Sequence, residues 1–304
     1  MSGSPTSTDA RFFSHFNNYI YELVNTRDAL AFAIPALLSE FAADGVTYLE
    51  LRTTPRALSD ASAEDTVELI HDELKRWNDE NAMRVRLILS IDQAKHDRAD
   101  ADWVVDTALR LRSSAYPPLV VGVDVCGDPN NAKDLTALDP VFERCQREDL
   151  PAVVHFGEIP KQAENGTLDV MLRWNPRRVG HAIHLPDAVR DELVKRDIAP
   201  ELCLSCNVLA NMLPAKENGE KPSHGDHHFG WWWKNGGSIS LGTDDVGVFG
   251  AKSSDEHYHA AEHFGLSKEQ LVELSRRAIQ GALDRDAIKP VERELDSFSV
   301  LEKL

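Results

Sequence analysis

The sequence predicts an α/β fold, a (β/α)8 barrel of the TIM type in which only seven of the eight strands can be found. Short apolar runs alternate along the chain with amphipathic helical patterns, which is typical of parallel strands covered by helices. Polar or charged residues stand at the C-terminal end of each run, where a parallel barrel collects its active site. An open doubly wound sheet also binds ligands at strand C-termini, but only near a switch point. Polar ends on all seven runs therefore favour the barrel.

The predicted strands and helices follow one another in regular order. The strands are residues 46–52, 84–92, 118–127, 151–157, 177–183, 199–207 and 237–245. The clearest helix, residues 62–80, opens with a Ser-x-x-Asp capping box. Its apolar side is formed by Leu69, Ile70, Leu74 and Trp77. Residues 102–113 and 189–197 show the same pattern, so each is predicted to be a helix that covers the sheet.

Length and composition restrict the class of protein. The chain has 304 residues and a formal net charge of −17, which argues against a nucleic-acid partner, because such a binder needs a basic face. We expect one barrel domain over residues 1–304, with residues 1–11 disordered. No run of about 18 apolar residues and no signal-peptide layout occurs, so we expect no membrane partner and a cytoplasmic, monomeric protein. Four cysteines are too few for a disulfide scaffold.

Candidate functional residues stand where the predicted strands end. They are Arg52, Asp92, Asp124, Asp128, His155, His181, Asn207, Asp244 and Asp245. His155, His181 and Asp244 form a ligand set that suits Zn²⁺, although a buried histidine is more often a satisfied core residue. Glu158 could protonate a ring nitrogen of a substrate while a metal-activated water attacks the adjacent carbon. These residue types predict hydrolytic chemistry.

Two other histidine-rich stretches need a separate interpretation. "HAAEH" (259–263) fits the H-x-x-E-H pattern of some metalloproteases, but a solvated helix face explains it as well. "HGDHHFGWWW" (224–233) resembles a metal-binding stretch in composition, and we interpret it instead as an aromatic lid over the site.

Seven stretches carry distinctive motifs in a fixed order along the chain. They are "FAADGVTYLELRTTPR" (41–56), "VVGVDVCGDP" (120–129), "HFGEIP" (155–160), "RRVGHAIHL" (177–185), "ELCLSCNV" (201–208), "DHHFGWW" (226–232) and "TDDVGVFG" (243–250). Together they resemble the adenosine and AMP deaminase family of metal-dependent hydrolases over most of the chain. "ELCLSCN" and "DHHFG" point to the branch that hydrolyses N6-methyl-AMP to IMP and methylamine, with adenosine as the next candidate substrate. The resemblance implies a purine nucleotide or nucleoside as the small-molecule partner.

The resemblance implies a role for each matched site residue. His155 and Asp244 would be ligands of one zinc ion. Glu158 would carry the proton to purine N1. His181 would orient the attacking water rather than bind the metal, which revises the three-ligand set suggested by the strand ends.

Three residues would contact the substrate according to the same resemblance. Gly127 would offer its backbone N–H to purine N3. Asp245 would position the water or accept a hydrogen bond from the leaving amine, and His155 would lie against the substrate.

The family's first strand, which ends in a His-x-His pair of zinc ligands, has no counterpart before residue 46. The resemblance therefore implies an N-terminally truncated barrel with two zinc ligands of four and an open seam beside strands 46–52 and 237–243. We expect weak zinc binding, aggregation through the unpaired edges, and little deaminase activity unless the family's N-terminal segment is supplied. A non-catalytic purine-nucleotide-binding or degenerate homologue is the alternative.

Overall fold

A single parallel sheet of seven strands forms the centre of the protein in the computed structural model, which describes residues 13, 19–114 and 116–303. The strands are β1 (Tyr48–Thr53), β2 (Arg84–Asp92), β3 (Val120–Cys126), β4 (Ala152–Phe156), β5 (Arg178–His181), β6 (Ala199–Leu202) and β7 (Ser240–Leu241). Each strand pairs in parallel with the next in chain order. The prediction of seven parallel strands is confirmed. Among the described residues no strand joins β1 to β7, so these two are edges.

Helices follow the strands and cover the outer face of the sheet. They are α1 (Tyr21–Leu23), α2 (Arg27–Ala43), α3 (Ala63–Glu80), α4 (Arg98–Arg112), α5 (Asp139–Arg147), α6 (Pro160–Glu164), α7 (Thr167–Arg173), α8 (Asp187–Lys195), α9 (Leu204–Leu209), α10 (Phe229–Asn235), α11 (Val246–Phe249), α12 (Ser253–Phe264), α13 (Lys268–Gln280) and α14 (Ile288–Glu302). The capping box predicted at the start of α3 is present, between Ser62 and Asp65. None of the described helices combines the length and apolarity needed to cross a bilayer. Residues 1–11, for which we expect disorder, lie outside the described residues.

Side chains of β2 show how the strands divide the interior into two regions. Leu87, Leu89 and Ile91 are fully buried in the main core, against the covering helices. Ile88 points to the other face and packs in a separate apolar cluster inside the barrel. Ser90, next on that inner face and nearer the strand's carboxyl end, is polar. Arg86, nearer the amino end of the same face, forms a buried ion pair with Asp284. The interior therefore combines an apolar cluster around Ile88 with buried polar groups on either side of it along β2.

The sixth predicted strand is shorter than the sequence indicates. β6 ends at Leu202, and residues 204–209 form α9, so Asn207 is a helical residue rather than a strand end. The helix begins there because the buried Glu256 carboxylate accepts hydrogen bonds from the backbone N–H groups of Leu204 (2.7 Å) and Ser205 (3.2 Å). A carboxylate at a helix N-terminus stabilises the first turn.

The aromatic stretch after β6 is not a lid. It forms α10, in which Phe229 and Trp232 are buried in the main core. Their burial anchors the preceding residues, including His227 and His228, beside the carboxyl ends of the strands.

Candidate active site

The carboxyl ends of the strands open into a cavity of about 1350 Å³. Its wall includes five of the predicted site residues, namely Arg52, His155, His181, Asp244 and Asp245. The volume exceeds the range of about 300–1,000 Å³ typical of ligand pockets. The excess arises because residues of both β1 and β7 line the same cavity, which continues into the seam between these edges.

His155 is held at the end of β4 through its Nδ1 atom. This nitrogen lies 3.1 Å from the carbonyl oxygen of Val125 and 3.2 Å from Oδ1 of Asp124, so its N–H donates to these acceptors. Burial by itself would lower the pKa of His155, but Asp124 outweighs it and the pKa rises to about 9. A metal-binding histidine usually donates its other ring N–H to a carboxylate or carbonyl, as Nδ1 does here. The second nitrogen, Nε2, is therefore the ligand atom that His155 can offer.

Asp124 belongs to a buried network of ion pairs inside the barrel. Arg52 of β1 donates to Asp124 at 3.3 Å and to Glu201 of β6 at 2.5 Å. Arg178 of β5 donates to Glu201 at 2.6 Å and to Glu50 of β1 at 2.5 Å. Burial would raise the pKa of Glu201, but Arg52 and Arg178 hold it at about 2. The network therefore joins β1 to β5 and β6 through side chains.

The turn after β4 places Glu158 beside His181. Gly157 has a left-handed backbone (φ 62°), and a Cβ atom there would lie 2.5 Å from Cδ2 of Leu185. Only glycine fits both conditions. The backbone N–H of Glu158 then donates to Oε1 of Gln162 at 2.8 Å, which fixes the turn.

The Glu158 carboxyl group is buried and suited to act as an acid. Its Oε1 atom lies 3.6 Å from Nε2 of His181, and its Oε2 atom has no hydrogen-bond partner among the described residues. Burial, reinforced by Asp244 and opposed by His155, raises the pKa of Glu158 to about 8. Most of this carboxyl is therefore protonated at neutral pH.

A chain of directed hydrogen bonds orients His181 at the end of β5. The backbone N–H of Phe229 donates to Nδ1 of His227 at 3.0 Å, so this neutral imidazole carries its proton on Nε2. That N–H donates to Oδ1 of Asn207 at 3.0 Å, and Nδ2 of Asn207 donates to Nδ1 of His181 at 3.0 Å. An amide nitrogen can only donate, so His181 keeps its proton on Nε2. Burial lowers the pKa of His181 to about 4, which leaves the ring neutral.

The backbone of His181 is strained and supported from outside the strand. His181 and Ala182 both have left-handed φ angles, 60° and 53°. Such residues cost about 1–3 kcal/mol each and persist where their surroundings fix them. Here Nε2 of His228 donates to the backbone carbonyl oxygen of His181 at 2.6 Å. The backbone N–H of Ala182 donates to the carbonyl oxygen of Phe156 at 3.0 Å.

Asp244 and Asp245 follow β7 at the edge of the cavity. Sγ of Cys206 donates to Oδ2 of Asp244 at 2.9 Å, and the same oxygen lies 3.9 Å from Nε2 of His181. Burial, reinforced by Asp244, raises the pKa of Asp245 to about 7. Potential ligand atoms of His181, Cys203 and Asp244 lie within 4.8 Å of one another. His181 has no free lone pair while Nε2 carries its proton, so the atoms that the end of β7 can offer a cation are those of Cys203 and Asp244.

Gly127, after β3, lies outside both the cavity wall and the His181 cluster, beside Asp92, another predicted residue. Its φ is 92°, and a Cβ atom would lie 2.3 Å from Oδ1 of Asp92. Its carbonyl oxygen accepts a hydrogen bond from Nε2 of Gln93 at 2.9 Å. The contact between its N–H and a purine stays a prediction.

Several residues that build the site were not identified from the sequence. The charged network residues Glu50, Arg178 and Glu201 interrupt otherwise apolar strands, and that interruption was the available signal. His227 and His228 stand in the motif "DHHFGWW", but only the fold shows that they reach His181.

Known proteins are similar to this chain over most of its length. A family model described as adenosine deaminase matches residues 5–297. The chain belongs to the adenosine deaminase family. Among relatives of the family, the N6-methyl-AMP deaminase of Danio rerio is 32% identical over 281 residues, covering 89% of this chain and 76% of that protein. The adenosine deaminase-like protein of Drosophila melanogaster is 30% identical over 288 residues, covering 94% and 81%.

A solved structure from the same family has a closely similar fold. It is the Arabidopsis ADAL protein complexed with IMP, which is 27% identical and has a TM-score of 0.84, covering 98% of this chain and 86% of that chain. As a member of the adenosine deaminase family, the chain is a hydrolase of the purine deaminase class, and members of this family depend on a metal ion. The family assignment and the barrel prediction are confirmed.

Proposed function

We propose that this chain catalyses zinc-dependent hydrolytic deamination of a 6-aminopurine nucleotide, converting N6-methyl-AMP to IMP and methylamine. Relatives about 30% identical carry the name N6-methyl-AMP deaminase, and similar solved structures are described as complexes with IMP and with GMP. Adenosine is the second candidate substrate. The substrate is in either case a small purine, which suits a cavity at the strand ends.

The observation that carries this proposal is the Glu158 carboxyl group, which is protonated and has one oxygen, Oε2, without a hydrogen-bond partner among the described residues. Attack of water at purine C6 is easier when the adjacent ring nitrogen N1 gains a proton. Glu158 is neutral at physiological pH and has an oxygen without a partner, so it can deliver that proton. A general acid works best when its pKa lies near the working pH.

The donor set at the strand ends fits a zinc ion. His155 offers Nε2, since its Nδ1 is already engaged, and Asp244 offers a carboxylate at the cavity edge. Cys203 adds a sulfur atom near Asp244. Nitrogen, oxygen and sulfur atoms of these types are the ligands zinc prefers. When bound, zinc acts as a Lewis acid and lowers the pKa of water.

The other residues supply orientation and proton transfer. The neutral His181 directs its Nε2–H at the incoming water, and Asp245, with a pKa near 7, can pass a proton to the leaving amine. The water oxygen bonds to C6, and the bond from C6 to the exocyclic nitrogen breaks. One water proton would pass through Asp245 to that nitrogen, so methylamine leaves with the electron pair and this proton. The other water proton would return to Glu158 and replace the one given to N1. Gly127 would hold the ring through N3.

A substrate panel tests the proposal in the protein at its full natural length, with Zn²⁺ supplied. N6-methyl-AMP, AMP and adenosine are compared by kcat/KM, with IMP or inosine and the released amine measured by chromatography. We expect N6-methyl-AMP to be preferred. Glu158→Gln should lose at least about 10²-fold in rate, whereas Glu164→Gln, at an exposed position of α6, serves as the control. Nucleotide binding without turnover by the zinc-loaded protein would favour the non-catalytic alternative.

A further inference from the structure

Three histidines that the catalytic site does not use come together beside α12. His259 and His263 stand one turn apart on this helix, and His224 begins a short 3-10 turn before α10. The ring centre of His224 lies 3.9 Å from that of His259 and 5.4 Å from that of His263. Potential ligand atoms of all three lie within 4.8 Å of one another.

The cluster is separate from the catalytic cavity. The α12 residues that line that cavity are Ser253, Ser254, His257, Tyr258 and Ala261. At about 100° per residue, His259 and His263 project from the opposite side of the helix. A metal held by them would therefore be distinct from one held by His155 and Asp244.

Two nitrogens of the cluster are buried and unused. Nε2 of His224 and Nδ1 of His259 make no hydrogen bond within the part of the chain that the structure describes. Leaving a buried polar atom without a partner costs about 1–3 kcal/mol. Burial, together with the neighbouring His259 and His263, also lowers the pKa of His224 to about 4, so this ring is in the neutral form that binds metals.

We propose that His224, His259 and His263 form a second metal site, which takes a divalent ion of the zinc class. Three imidazole nitrogens form a donor set for ions of borderline softness such as Zn²⁺. Histidines at positions i and i+4 of a helix are also the spacing found in helical zinc sites.

Binding requires the imidazole rings to rotate. His224 is stacked on His259 and His263 with interplanar angles of 15° and 11°, whereas an imidazole lone pair lies in the ring plane. Rotation about side-chain torsions therefore has to direct the three nitrogens at one ion. His263, with 31% of its side chain exposed, has room for this movement.

The ion would fasten the segment 211–228 to α12. The turn that carries His224 is fixed by a capping box between Ser223 and Asp226. His227 and His228 come directly after it and support His181 through the hydrogen bonds described above. Metal binding at the cluster would thus hold in place the segment that orients His181.

Calorimetric titration of the chelator-treated full chain with Zn²⁺ tests the site. We expect the wild type to bind one ion more than the double variant His259→Ala/His263→Ala. His257→Ala, on the cavity side of the same helix, is the matched control and should keep the wild-type number. Replacing only the exposed His263 by alanine leaves the core untouched and should raise the Kd of this ion at least about tenfold. A tenfold loss of affinity is the lower end of what is seen when a residue that hydrogen-bonds to a metal ligand is removed.

Limited proteolysis tests the fastening of the segment. Glu217 and Glu220 are exposed within it, so a glutamate-specific protease should cut there. Zn²⁺ should slow cleavage at least about tenfold in the wild type and in His257→Ala, and leave the rate in the double variant unchanged. Equal numbers of bound ions in wild type and double variant would overturn the metal site. Equal cleavage rates with and without Zn²⁺ in the wild type would overturn its role in fastening the segment.

Discussion

Exchanging Asn207 for aspartate should inactivate the enzyme by moving one proton on His181. In the wild type, Nδ2 of Asn207 donates to Nδ1 of His181, and the His181 proton is therefore on Nε2. An aspartate of the same shape has no donor, so it favours a proton on Nδ1 instead. It still accepts the hydrogen bond from His227, and the packing of α9 is unchanged.

The size of the effect follows from the bonds exchanged. The active tautomer would lose a buried hydrogen bond worth about 1–3 kcal/mol, and the wrong tautomer would gain a bond to a charged group worth about 1.5–3 kcal/mol. A combined shift of about 2.5–6 kcal/mol reduces the active tautomer by about 10²–10⁴-fold, because each 1.4 kcal/mol is about a factor of ten. We expect kcat to fall by this factor.

Steady-state kinetics on N6-methyl-AMP and nitrogen-15 spectra of the histidine rings provide the assay. Asn207→Ala removes the donor without enforcing the other tautomer, so a smaller loss, about tenfold, is expected from this control. An Asn207→Asp protein whose His181 still carries its proton on Nε2 would refute the reasoning. So would a kcat within a factor of about three of the wild type alongside a proton on Nδ1.

Three other perturbations test Glu158 as the general acid, Asp244 as a zinc ligand and Arg178 as part of the buried ion-pair network. The kcat should fall above about pH 8, because Glu158 acts in its protonated form; a kcat that does not change between pH 8 and pH 10 would contradict this. Asp244→Ala should lose zinc by elemental analysis, and stoichiometric zinc in that variant would remove Asp244 from the ligand set. Arg178→Met should lower the free energy of unfolding in urea by about 3–5 kcal/mol, because Glu50 and Glu201 lose a buried partner. A loss no larger than that of the exposed Arg173→Met would show that the network contributes little to stability.

The sequence was sufficient for the architecture because each strand carries its own pattern. Apolar runs with polar ends identified seven strands, and the capping box at Ser62 located the start of α3. The boundary between β6 and α9 could not be found this way, because Glu256, which stabilises the start of α9, lies about fifty residues further along the chain. A local sequence pattern contains no information about a partner as distant in the chain as Glu256.

The sequence identified the residues of the candidate site, but not their hydrogen bonds, proton positions and pKa values. The motifs identified His155, Glu158, His181 and Asp244, whereas the proton position on His181 depends on a chain of bonds through Asn207. The pKa of Glu158 likewise depends on burial, which a motif does not contain. The roles of these residues, the cytoplasmic location and the monomeric state stay predictions.

The buried network inside the barrel has an odd number of charges. The carboxylates of Glu50, Glu201 and Asp124 face only two guanidinium groups, so one negative charge is left over. Asp124 is also the carboxylate that contacts His155. A positive charge at the end of β4, whether a proton on the imidazole or a divalent ion bound to it, completes electroneutrality. The barrel interior therefore attracts a cation to this strand end independently of any substrate, and an interior filled only with apolar side chains would not.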